Sequence, residues 1–140
     1  MMQLVTDRTY TDVLMGNQKG CYGPEDLNRV EQAVAELAAI AQALDVQGEF
    51  VIKTDWALPS VFSPDSWPTA TQMRRYLDNV HRLCSAVELA ADLPTTMEKL
   101  TWEGANRIEQ ALEQTHTRIH NILQTFQFSG EIFAGEERYL

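Results

Sequence analysis

The sequence predicts a mainly α fold: an antiparallel three-helix bundle with an extra short N-terminal helix and a small C-terminal β-hairpin, as a single domain over residues 1–140. Three observations predict it. Three long stretches carry apolar residues at alternating steps of three and four, the period of a buried helix face. Each is bounded by capping residues, glycine or proline. The closing stretch, FQFSGEIFAGEERYL, shifts to a period of two around Ser129-Gly130, a turn pair between Phe126-Gln127-Phe128 and Glu131-Ile132-Phe133, so residues 129–140 are expected to form a hairpin or tail.

Taken in order, Thr9 with Asp12 three residues on has the form of a capping box, so a short first helix is expected over 9–18 and ends at Gly20 and Gly23. Pro24, Glu25 and Asp26 open the second helix with a proline at its first position and acids in its first turn, where the helix dipole favours them. Its stripe is Leu27, Val30, Val34, Leu37, Ala41 and Leu44, widened by Ala33, Ala38, Ala39 and Ala43, and Gly48 stops it. Residues 49–53, EFVIK, alternate as a short strand that would join the C-terminal hairpin in a small sheet. From 56 to 68 three prolines and two tryptophans make a loop pinned by Trp56, Phe62 and Trp67. Thr69 or Thr71 caps the third helix, with Met73, Tyr76, Leu77, Val80, Leu83, Cys84 and Val87 inward and Pro94 beyond its end. The fourth starts near Thr101 and buries Ile108, Leu112, Thr115, Ile119, Ile122 and Phe126.

Composition bounds the function. Eleven Lys and Arg against twenty Asp and Glu leave a formal charge of −9, which argues against a broad phosphate-neutralising surface, so no nucleic-acid partner is expected. Cys21 and Cys84 lack CxxC spacing, as expected of free thiols in a reducing compartment. The opening MMQLVTDRTY has no basic segment followed by an apolar one, and no run is long enough to span a bilayer, so neither signal-peptide secretion nor a membrane partner is expected. Composition and spacing alone specify no activity.

Two helices share a pattern, PEDLNRVEQAVAEL and WEGANRIEQALEQT. At an offset of 78 residues Glu25, Asn28, Arg29, Glu31, Gln32 and Ala33 match Glu103, Asn106, Arg107, Glu109, Gln110 and Ala111, six identities in nine positions. Asn28, Arg29, Glu31, Asn106, Arg107 and Glu109 are expected to play a structural part, as charged and amide side chains between core positions. The candidates for chemistry are few. Glu113, His116 and His120 share a helix face, a spacing two histidines use to hold zinc, but HExxH is absent and an exposed polar stripe is the simpler reading. No nucleophile arrangement, acid pair in a recognisable setting, phosphate loop or cofactor motif occurs, so no catalytic residue and no cofactor are assigned. What remains is contact surface: Trp56, Trp67, Trp102, Phe126, Phe128, Phe133 and Tyr139 gather near helix ends and loops, where exposed aromatics would suit another subunit.

Three stretches in order, TDRTYTDV with QKGCYGPEDLNRVEQAVAEL, then KTDW with PTATQMRRYLDNVHRL, then LTWEGANRIEQALEQT with FSGEIFAGE, resemble small proteins of prophages and tailed phages of Gram-positive (Firmicutes) bacteria, encoded in the tail, baseplate or tail-fibre region. The resemblance covers most of the chain and carries no active-site residue. It implies a virion structural or assembly protein that contacts other tail, baseplate or fibre proteins, as a homo-oligomer or hetero-complex. Such a protein would be cytoplasmic during assembly and then part of the phage tail. A soluble tail-fibre chaperone or adaptor is the alternative reading, and a small metal-binding enzyme or regulator a remote one.

Overall fold

The computed structural model describes residues 3–43, 49–56 and 68–136, with side chains as far as Thr125. Among these residues the chain forms α1 (Tyr10–Met15), a single 3₁₀ turn (Gln18–Gly20), α2 (Pro24–Ala43), α3 (Ala70–Ala86) and α4 (Trp102–Glu136). The apolar stripes pack together as their period requires: Val30, Leu37, Val80, Leu83, Ile108 and Leu112 are fully enclosed. Each such side chain stabilises the fold by about 1.5–3 kcal/mol relative to leaving it in water.

Local signals set most of the helix ends. The Thr9 hydroxyl accepts from the Asp12 amide while the Asp12 carboxylate accepts from the Thr9 amide, a complete capping box on α1; Thr69 and Gln72 repeat it on α3. Gly16, at φ 62°, stops α1 in the left-handed region that glycine enters freely. The end of α3 achieves the same without glycine. Glu88 sits at φ 56°, and the Leu89 amide reaches back to the Cys84 carbonyl at 2.9 Å, closing the last turn.

The three long helices run parallel, which corrects the antiparallel expectation. Between α3 and α4 the partners advance together: Cys84 meets Thr115 at 3.6 Å, and the Val87 carbonyl accepts from Arg118 at 3.1 Å. Residues 49–56 run against both α2 and α3, with Trp56 bonded to Asn28 and Lys53 to Glu31 on one side. On the other side Val51 is bonded to Asn79 and Glu49 to Arg82, so α2 and α3 share one direction. The chain returns between helices in extended straps, an arrangement that long connections permit, since extended chain covers about 3.3 Å per residue and helix only 1.5 Å. One strap, residues 4–8, lies where α2 meets α4, and a second, residues 49–56, lies where α2 meets α3. Residues 88–101 return from the end of α3 to the start of α4, and Pro94 and Leu100 close over Gly104.

Three further expectations are corrected. The C-terminal hairpin does not form: α4 continues unbroken through Ser129-Gly130 to Glu136, and no strand occurs among the described residues. One glycine inside a long helix costs only about 1 kcal/mol, too little to stop it when no proline follows. Residues 137–140, the end of the expected tail, lie outside the described residues. Residues 49–53 form no strand and join no sheet: side chains of α2 and α3 satisfy their backbone in place of a neighbouring strand. The expected first helix over 9–18 is shorter, ending at Gly16, with the 3₁₀ turn after it.

Candidate functional site

α2 and α4 each present an asparagine and, one turn later, a glutamate, and each pair grips one strap. On α2, Asn28 brackets a single residue: the Trp56 amide donates to Asn28 Oδ1 at 2.9 Å, and Asn28 Nδ2 donates to the Trp56 carbonyl at 3.0 Å. Glu31 accepts from the Lys53 amide at 3.0 Å. On α4, Asn106 brackets Arg8 through two contacts of 3.0 Å, and Glu109 accepts from the Val5 amide at 3.0 Å. The spacing is the same in both, three residues forward on the helix against three back on the strap. An amide side chain carries a donor and an acceptor side by side, so it matches the N–H and C=O of one residue. The repeated Asn-Arg-x-Glu-Gln-Ala motif is therefore a backbone grip.

Electrostatics separate the two grips. In the α4 grip, which holds the first strap and is the first grip below, the Arg8 guanidinium is buried and donates to Glu109 at 2.5 Å, to Asp26 at 3.1 Å and to the Val5 carbonyl at 2.9 Å. Arg29 donates to both Glu109 oxygens, at 2.7 and 2.9 Å, and to Asp26. Two cations and two carboxylates thus neutralise one another. Hydrogen bonding to Glu109 raises the affinity of Arg29 for its proton. In the second grip, Glu31 takes Arg75 at 2.5 Å and the Trp56 indole N–H at 3.0 Å. The cationic ends of Lys53 and Arg75 lie 5.2 and 5.8 Å from the Trp56 ring centre, within cation–π range. Beside the first grip the hydroxyls of Tyr22 and Tyr76 bond to each other, and burial pushes both phenols above their ordinary value.

The other sequence candidates scatter. Trp56 is buried in the core and offers no free surface, which corrects its place in the expected partner interface. Trp102 is half-buried. Trp67 and Tyr139 lie outside the described residues, and Phe126, Phe128 and Phe133 are described only as backbone of α4. His116 and His120 stack with ring centres 6.5 Å apart on the surface of α4, with Glu113 exposed nearby. Among the described residues no group of three or more His, Cys, Asp or Glu side chains is placed to hold a metal ion. Arg107, the counterpart of Arg29, faces solvent near Glu103 and Asp92 at 3.9 Å.

Comparison of the chain with protein families, curated proteins and solved structures finds no match. The geometry alone therefore carries the functional reading.

Sequence reasoning missed the surface that stands out. Tyr10, Val13, Leu14 and Met15, four large apolar side chains on a six-residue helix, are 42–74% exposed. Local bonds brace the knob they form. Asp12 accepts from Asn17 Nδ2 at 2.8 Å, Asn17 Oδ1 accepts from the Gly20 amide at 3.0 Å, and Lys19 pairs with Asp7 at 2.8 Å. A Cβ on Gly20 would meet the Asp12 carbonyl oxygen at 2.3 Å, so only glycine fits there. A legible signal existed: the run Tyr10-Thr-Asp-Val-Leu-Met15 follows a capping box with too few residues to bury that apolar side. Elsewhere a cleft of about 520 Å³ opens between α3 and residues 95–98, floored by Met73, Leu77 and Met97. No described helix is long and apolar enough to cross a membrane.

Proposed function

We propose that the chain is a non-catalytic structural or assembly component that works through protein–protein contacts, of the kind encoded in the tail, baseplate or tail-fibre region of phages and prophages of Gram-positive bacteria. The α1 knob is the observation that carries the contact-based part of this reading, and the sequence resemblance alone supports its phage-tail setting. Four apolar side chains are held outward by a dense set of local bonds, and a preorganised apolar surface of this kind loses little conformational freedom when a partner covers it. The buried carboxylates support it too. Glu31 and Glu109 already accept two or more charged or backbone donors each, so they serve to position backbone and not to exchange protons with a substrate.

The test is light scattering after size exclusion over about a hundredfold range of concentration, alone and mixed with purified tail, baseplate and fibre proteins of phages of Gram-positive bacteria. A complex that Leu14→Asp abolishes while the melting temperature holds is the expected result. A chain that stays alone in every mixture, or a complex that Leu14→Asp leaves intact, overturns the reading. Association that aids fibre folding but is absent from finished particles would favour a chaperone over a particle component.

A further inference from the structure

The chain that displays an apolar knob on α1 also carries an apolar cleft on α3, and the two belong to separate elements. We propose that the α1 knob of one copy docks into the α3 cleft of a second copy. The proposal rests on the contact-based reading above and names one partner for the knob.

The shapes answer each other. Tyr10, Val13 and Leu14 stand at i, i+3 and i+4 of α1, the spacing by which a helix lays its apolar side into a groove. The cleft runs along α3, where Met73 and Leu77 stand four residues apart as a ridge for such a helix, with Met97 on the opposite wall. That wall is preformed: the Thr96 hydroxyl accepts from the Glu98 amide at 2.8 Å, and Lys99, at φ 54°, turns the chain toward Leu100. The cleft holds about 520 Å³, within the range of roughly 300–1,000 Å³ that ligand sites occupy, and so admits more than one side chain of the knob. Methionine on both sides adapts to an irregular fit.

Only a second copy brings the two together. Every described residue that lines the cleft lies at or beyond Pro68, whereas α1 packs on the 3₁₀ turn, so the chain leaves its own cleft open. Charge agrees with the pairing. Beside the knob Asp7 and Asp12 outnumber Lys19. At the cleft Asp78 is neutralised by Arg82 at 2.8 Å and Glu98 is followed by Lys99, which leaves Arg74 in excess, with no carboxylate partner among the described residues. Docking therefore sets a net negative edge against a net positive one, while the overall charge of −9 repels most other approaches between copies. So short a helix covers much less than the roughly 1,200–2,000 Å² of a stable interface, so one contact is weak. A second contact, returned by the partner or passed on to a third copy, supplies the rest.

Complementary variants test it. Leu14→Asp spoils the knob and leaves the cleft; Met73→Glu spoils the cleft and leaves the knob. In light scattering over about a hundredfold range of concentration, the wild-type mass should climb above the monomer, and each variant alone should associate about tenfold or more weakly. Mixed in equal amounts, the two variants should form a one-to-one heterodimer that grows no further, because one sound knob and one sound cleft remain between them. Ala70→Trp, at an exposed position of the cleft wall, should replace Met73→Glu in every mixture, and unchanged melting temperatures show that the variants fold. A mixture that stays monomeric, or a wild-type chain that never exceeds the monomer, overturns the proposal. So does self-association that Leu14→Asp abolishes and both cleft variants leave intact, since the knob then meets another knob. In each of these cases a complex with a purified tail protein that Leu14→Asp abolishes leaves the broader contact-based reading standing.

Discussion

The two grips hold extended backbone with the same asparagine and glutamate, yet they close over opposite chemistries. The α4 grip ends on Arg8, a buried guanidinium that needs Asp26 and Glu109 to neutralise it, with Arg29 sharing both carboxylates. The α2 grip ends on Trp56, an indole packed into the core with its N–H on Glu31. The shared part reads backbone and is blind to sequence; the last strap residue, Arg8 or Trp56, sets the energetics. A strap closed by Trp56 is held by burial, whereas one closed by Arg8 is held by charge compensation, which fails as a unit when one member is lost.

That difference is broken most directly at the glutamates. Glu109→Gln removes a fully buried carboxylate that compensates Arg8 and Arg29, whose side chains are 2% and 15% exposed. It should cost about 3–5 kcal/mol, because an uncompensated cation remains inside. Glu31→Gln leaves only Arg75, 19% exposed and able to turn toward water, and should cost about 1–3 kcal/mol. Urea melts of both variants give the ranking, and equal losses would mean that the buried quartet is no more charge-dependent than the single pair.

The asparagines sharpen the comparison from the other side. Asn28→Ala and Asn106→Ala each remove a two-point contact to strap backbone, and each should cost about 1–3 kcal/mol, with the larger loss at Asn106, whose Oδ1 also accepts from the buried Arg8 guanidinium at 3.3 Å. Amide exchange separates them locally. Val5 and Arg8 should lose protection in Asn106→Ala, and Lys53 and Trp56 in Asn28→Ala. A global loss of protection in either variant would show that the strap and bundle open together.

How much of this was legible follows from which forces act locally. The stripes at Val30, Val34, Leu37, Val80, Leu83, Ile108 and Leu112 are buried as their period requires, the box at Thr9 caps α1 as expected, and of the two threonines offered for α3 it is Thr69 that caps it. Helix direction was not legible, because a hydrophobic period is the same read either way; it is set by straps whose partners lie up to about a hundred residues away in sequence. The repeat was visible and its purpose was not. Glu31 and Glu109 occupy positions that look like a solvated helix face, and only the straps bury them. The missing signal was a second repeat, Thr6-Asp7 before Arg8 and Thr54-Asp55 before Trp56, which pairs each grip with what it holds. The tail misled for a different reason: Ser129-Gly130 is a turn pair in a strand context and a tolerable defect in a helix already under way.

A smaller effect, on pH, again falls on one grip only. Tyr22 and Tyr76 border the first grip, where Arg8 stacks 5.5 Å from the Tyr22 ring centre, and burial raises both phenols; the second grip has no such pair. A group whose folded-state pKa lies above its unfolded value lends stability that is complete below the unfolded pKa, about 10 for tyrosine, and is lost as pH rises through the folded value. The wild-type melting temperature should therefore begin to fall above about pH 10, as unfolded tyrosines release protons that the folded chain retains. The Tyr22→Phe/Tyr76→Phe chain should fall less steeply over the same range, because its first grip has no phenol left to ionise. Near-ultraviolet absorbance supplies the internal check, since phenolate should appear from the two buried tyrosines only as the chain unfolds. Parallel pH slopes in the two proteins would mean that the pair is reached by solvent in the folded state, and that the first grip is no more sensitive to alkali than the second.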